Sequence, residues 1–316
     1  MENRIKVGVS ACLLGEKVRY DGGHKHDRYI TDTLGRYFEF VPVCPEVESG
    51  MGTPREAMRL EGDPAAPRLM TRVTRIDKTK QMLSYCRTRV EELKEAGLCG
   101  FIFKKDSPSS GLFRVKVYDD KGVPQKKGSG LFAAAVVQAL PLLPAEEEGR
   151  LFDAGLRENF IERVFSYRRW KDFLSGSPGT GELVAFHTSQ KLLMMAHSPA
   201  HYREMGVLVA HGRDLGTHEL FKRYEELMMK GLALQATAKK NTNVLQHMMG
   251  YFKKVLSADE KQELMEVISS YHSQLVPLVV PLTLLRHYVN KYDQTYLKGQ
   301  VYLSPHPAEL MLRNHV

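Results

Sequence analysis

Two cysteines stand where thiol chemistry would be useful. Cys12 lies in Val9-Ser-Ala-Cys-Leu-Leu-Gly15, and Cys44 lies in Val43-Cys-Pro-Glu46. A third segment, Lys104-Lys-Asp-Ser-Pro-Ser-Ser-Gly111, is dense in hydroxyls and turn formers. Thiols in such settings serve metal binding or catalysis, or are simply small core residues. Cys86 sits on a helical apolar stripe and Cys99 beside a strand, which makes core thiols of both. His197 and His201, four residues apart, have a spacing that zinc could use. No cysteine follows them, so packing or phosphate contact is the simpler reading.

The segments that must position these residues alternate in type. Residues 4–11 read as a buried strand, 38–43 as a second, 101–104 as a third and 113–118 as another. Helical patterns fall near 28–37, at 78–96 (Met82, Cys86, Val90 and Leu93 forming the stripe) and at 129–140. Strands alternating with helices predict a Rossmann-like α/β domain with a mainly parallel sheet, covered on both faces. Cys12, Cys44 and the 104–111 loop each follow a strand. In an open parallel sheet those carboxyl ends border the ligand crevice, so three distant segments are expected to meet there.

The run Pro141-Leu-Leu-Pro-Ala-Glu-Glu-Glu-Gly-Arg150 marks a transition. Beyond it, helices are expected at 150–173, 181–196, 199–211, 214–233, 257–272 and 278–292, giving an all-α second domain. The expected division is 1–148 and 149–316. No run of apolar residues is long enough for a membrane span, and the charged start lacks the features of a secretory signal. These features point to the cytoplasm, where thiols stay reduced and disulfides are not expected. The net charge of +8, spread evenly over both halves, favours a polyanionic partner such as RNA, although a solvated surface would look the same.

The set Val9-Ser-Ala-Cys-Leu-Leu-Gly15, Val18-Arg-Tyr-Asp-Gly22, Val43-Cys-Pro-Glu46 and Ser107-Pro-Ser-Ser-Gly111 resembles the TudS-type thiouracil desulfidases over roughly residues 4–142. The remainder is similar to the helical domain of the longer RudS-type members, which are linked to removing the 4-thio group of thiouridine in tRNA. The resemblance implies a 4Fe–4S cluster held by Cys12, Cys44 and position 110. Here position 110 is Ser110, where the family has cysteine. Serine is a hard, protonated donor, so the expectation is a labile or missing cluster and impaired turnover. An engineered Cys-to-Ser change, a natural variant with altered ligation and a chain without a cluster all remain open.

Three thiolates would leave one iron free to take a substrate sulfur, so the implied reaction is a non-redox desulfuration. The resemblance then casts Glu46 as general acid or base and Ser107 as a hydrogen-bonding or proton-relay group. Asp21, Glu48, Lys104 and Ser109 are further substrate contacts. Basic clusters at Lys126–Lys127, Arg168–Arg169 with Lys171, and Lys239–Lys240 are candidate RNA contacts. A buried iron could be reached only by an unstacked base, for which a second, backbone-gripping domain would be useful. The alternatives are an enzyme of free thiobases, its helical domain serving dimerisation, and a non-catalytic RNA-binding or redox-sensing protein. Oligomeric state is not legible.

Overall fold

A computed structural model describes residues 4–315. The chain divides into two compact units, Met1–Phe152 and Asp153–Val316. The junction is a few residues past the expected 148/149 boundary because Glu148 belongs to the first unit's loops. Asp153 is the residue that starts the next helix, its carboxylate accepting from Leu156 N at 2.9 Å.

The first unit contains β1 (Ile5–Ser10), β2 (Phe38–Val43), α1 (Pro45–Glu48), β3 (Met58–Glu61), β4 (Arg68–Thr71), α2 (Thr79–Glu95), β5 (Gly100–Phe103), β6 (Val115–Tyr118), β7 (Pro124–Gly128), α3 (Leu131–Ala139) and β8 (Ala145–Glu147). Four strands form an all-parallel sheet in the order β2-β1-β5-β8. Val7 and Val9 of β1 and Phe101, Ile102 and Phe103 of β5 are fully buried, as a sheet covered on both faces requires. Gly8 in β1 allows the Phe101 ring to lie directly against the backbone. A Cβ there would sit 2.3 Å from Phe101 Cδ2.

Two local expectations are corrected. Residues 113–118 do not extend the parallel sheet: β6 belongs to a second, mixed sheet ordered β4-β3-β6-β7. Its strands are only four or five residues long, too short for a clear alternating pattern. The 28–37 segment is no α-helix but a π turn, Tyr29–Thr33, followed by a 3-10 turn, Leu34–Arg36.

The second unit is helical: α4 (Ala154–Ser175), α5 (Thr180–His197), α6 (Pro199–Ala210), α7 (Thr217–Leu232), α8 (Ala238–Gly250), α9 (Ala258–His272), α10 (Val279–Lys291) and α11 (Thr295–Lys298). Trp170 is fully buried and stacks on Tyr224 and Phe173, with ring centroids 5.2 and 5.3 Å away. A polar network is buried as well. Arg313 donates to Glu162 at 2.7 Å and to the Tyr302 carbonyl at 2.6 Å, and His197 Nε2 lies 2.9 Å from the other Glu162 oxygen. No described helix is long and apolar enough to cross a membrane.

Gly8→Ala is expected to destabilise the protein by about 2 kcal/mol, because the fully buried Phe101 ring has no room to retreat. A urea denaturation midpoint checks this, and an unchanged midpoint would contradict the packing described.

Candidate active site

The first loop begins where β1 ends. Ala11–Leu14 form a 3-10 turn that holds Cys12, and Gly15 closes it with a left-handed φ of +94°. Lys25 N donates to the Cys12 carbonyl at 2.9 Å and pins the turn. The second loop begins where β2 ends. Cys44 caps α1, and Pro45 occupies the first helical position. The Cys44 N–H donates to Glu48 Oε1 at 2.7 Å, while the other Glu48 oxygen accepts from Tyr85 OH at 2.6 Å. Arg89 Nε lies 3.2 Å from that same oxygen. Glu48 thus supports the Cys44 backbone from behind.

The third loop follows β5. Lys104 N donates to Ser10 Oγ at 2.9 Å, tying this loop to the end of β1. Ser107 Oγ accepts from the N–H groups of Ser109 and Ser110 at 3.2 and 3.0 Å, which folds the turn. The turn rests on Gly130, where a Cβ would sit 2.4 Å from the Ser109 carbonyl carbon. Glu148 accepts from Lys105 N at 2.6 Å and pairs with the Lys104 ammonium.

The three loops enclose one cavity of about 400 Å³. Cys12, Cys44, Glu46, Lys104, Ser107 and Ser110 all line it. Cys12 and Cys44 are free thiols, each 8% exposed. Burial pushes the Cys12 thiol up to about 11, against the pull of Lys104. Burial together with Glu46 pushes Cys44 up to about 12, against Arg55. Glu46 Oε2 lies 3.6 Å from Cys44 Sγ and 3.8 Å from Arg55 Nη2.

Other expected contacts lie elsewhere. Asp21 is exposed, bonds Arg19 and Gly23 N, and does not line the cavity. Glu48 faces Tyr85 and the Cys44 backbone. Ser109 is fully buried behind the loop. In the helical unit, Arg169 is spent on the Pro305 carbonyl and Ser166. Lys240 is spent on the carbonyls of His197 and Gln235. Arg168 pairs with Asp172, and Lys171 lies over the Tyr167 ring. Lys126, Lys127 and Lys239 are exposed. His197 and His201 do not form a zinc pair. The first meets Glu162 and the Leu234 carbonyl, the second Ser198.

Arg55 was not anticipated. Its guanidinium donates to the carbonyls of Val18 at 2.9 Å and Gly52 at 3.0 Å, holding a cation against Glu46. The turn-rich Gly50-Met-Gly-Thr-Pro54 run before it was the available signal.

Comparison with known proteins assigns both units. Residues 7–148 match the family model described as 2-thiouracil desulfurase, and residues 191–307 match a domain of unknown function, DUF1722. The first unit therefore carries a 2-thiouracil desulfurase domain. An Escherichia coli (strain K12) relative, the uncharacterized protein YbgA, is 33% identical over 158 residues, spanning 50% of this chain and 94% of the relative. A solved [4Fe-4S]-dependent thiouracil desulfidase, TudS, is 27% identical over 48% of this chain and 95% of its own, with a TM-score of 0.39.

The 4Fe–4S cluster implied by the sequence resemblance can be weighed against the first unit's own residues. Two buried thiols line one cavity among cations that favour their ionised form, which suits iron–sulfur ligation. Ser110, 3% exposed at the same wall, offers a hydroxyl instead. The donor set fits such a cluster at two of the three positions the resemblance implies.

Metal-free Cys12 and Cys44 should react slowly with iodoacetamide at pH 7, and their rates should rise about tenfold per pH unit towards pH 10, because the thiolate is the reactive form. Peptide mass spectrometry of alkylation against pH measures this. Rates that level off below pH 8 would show that the cations outweigh burial.

Proposed function

We propose that this chain removes sulfur from a thiolated pyrimidine, with 4-thiouridine in tRNA as the substrate and uridine as the product. The observation that carries the reading is the single cavity in which Cys12, Cys44, Glu46 and position 110 meet at the carboxyl ends of parallel strands. Cys12, Cys44 and residue 110 would hold a 4Fe–4S cluster. When bound, that cluster supplies a Lewis-acidic iron with affinity for the departing sulfur.

The protein's own residues do the rest. One water enters and one hydrogen sulfide leaves, so the exchange of C=S for C=O needs no net electron transfer. Glu46 borders the cavity close to Cys44 and takes the proton from the incoming water. Arg55 orients that carboxylate. Ser107 has both backbone donors on its oxygen, which leaves the hydroxyl hydrogen free to point at substrate. Lys104 and Arg19 make the wall cationic, which suits an anionic sulfide and a nearby phosphate. The exposed lysines at 126, 127 and 239 support a nucleic-acid substrate.

Ser110 weakens this chain. Ser110→Cys should raise bound iron and acid-labile sulfide after anaerobic reconstitution and increase loss of thiocarbonyl absorbance from thiolated tRNA. Equal iron content and equal turnover in the two forms would refute the assignment of residue 110 as a ligand. Glu46→Gln in the Ser110→Cys background should lower kcat by about 10²-fold or more while bound iron stays the same. Turnover of free thiouracil in place of tRNA would select the free-base reading.

A further inference from the structure

The helical unit holds a second cleft, of about 840 Å³, between α5, α6 and the start of α7. Its polar lining is one-sided. Lys191 and Arg203 contribute cations, Tyr202 and Thr180 contribute hydroxyls, and no carboxylate lines it among the described residues.

Two observations show that the cleft is built to receive something. His187 is 3% exposed and lines the cleft, yet its Nε2 has no hydrogen-bond partner. Its Nδ1 lies 3.4 Å from Tyr224 OH, which has no other acceptor among the described residues. Tyr224 therefore donates to Nδ1, and Nε2 carries the proton. A buried donor without an acceptor is costly, so its partner is expected to be a ligand.

Gly206 is the second observation. It occupies the interior of α6, where glycine is the poorest ordinary residue. A Cβ there would meet no atom within 4 Å, so packing does not demand glycine. Its missing side chain keeps the cleft open. Leu183, Val184 and Val207 give the cleft an apolar lining as well.

We propose that this cleft binds a nucleotide: its phosphate against Lys191 and Arg203, its sugar and base against Leu183, Val184 and Val207, and one acceptor on His187 Nε2. The nucleotide could be a unit of an RNA chain or free in solution. The RNA source rests on the function proposed above, whereas the cleft does not.

The test uses the full chain and calorimetry with uridine 5′-monophosphate, uridine, inorganic phosphate and unmodified tRNA. The monophosphate should bind more tightly than uridine, and inorganic phosphate should compete. Lys191→Ala and Arg203→Ala should each weaken it about tenfold, the loss expected for a hydrogen bond to a charged group. Gly206→Leu should abolish binding without lowering Tm. His187→Phe should weaken binding, and His187→Gln, which keeps an N–H, should restore part of it. Lys261→Ala, on α9, which does not line the cleft, should leave it unchanged. For tRNA, Lys191→Ala should also reduce the salt slope of binding by about one.

No monophosphate binding, or binding untouched by Lys191→Ala, Arg203→Ala and Gly206→Leu, overturns the proposal. Sensitivity of the monophosphate but not of tRNA would support the cleft with a free nucleotide as its ligand. Failure of the wild-type chain to bind tRNA at all, with the monophosphate arm intact, would sink the RNA substrate and leave the cleft standing.

Discussion

Parallel pairing of β1 with both β2 and β5 is the constraint from which the catalytic cavity follows. Because the three strands run in one direction, the loops that leave them emerge on one edge of the sheet. Cys12, Cys44 and the serine-rich turn are 32 and 66 residues apart in sequence, yet no long-range folding of the loops themselves is needed to unite them. The bond from Lys104 N to Ser10 Oγ fixes the third loop to the end of the first strand. Gly8 serves the same end lower in the sheet, since it lets Phe101 close the β1–β5 seam.

Within the cavity two forces oppose each other. Removing the thiols from water favours their neutral form, and the cations of Lys104, Arg19 and Arg55 favour the thiolate. Burial dominates in the protein alone. A bound metal would add the positive charge that reverses the balance, so proton release and metal capture become one event. Glu46 raises the Cys44 thiol further and is itself held by Arg55. The same carboxylate is thereby kept close to the reacting centre.

Much of this architecture was legible in the residues. The stripe of Met82, Cys86, Val90 and Leu93 announced α2, and all four are buried in it. The alternation of strands and helices gave the parallel sheet. The second sheet was hidden because Met58–Glu61 and Arg68–Thr71 are too short to display a period and their partners are set by tertiary pairing. α8 was hidden for a different reason: Lys239, Lys240, Asn241 and Asn243 dilute its apolar stripe, and two of its five buried residues, Asn241 and Thr242, are polar. At the site, short motifs located Cys12, Cys44 and Glu46. They could not say that Asp21, Glu48 and Ser109 face away, because side-chain direction in a loop depends on hydrogen bonds made from outside it. Arg169 and Lys240 show the same limit, since a basic cluster in a sequence does not reveal which cation is occupied by a carbonyl.

The hairpin that carries Lys126 and Lys127 also bears on how the protein avoids its own kind. β7 is the last strand of the mixed sheet, so one side of its backbone has no strand beside it. Such a border is an invitation to pair with another molecule and grow into aggregates. Five consecutive residues there include two lysines and open on a proline, the two devices that most effectively repel a would-be neighbour strand. Those lysines therefore guard colloidal behaviour whatever they contribute to nucleic-acid affinity. A variant that neutralises both will confound lost binding with self-association unless its solution state is measured alongside.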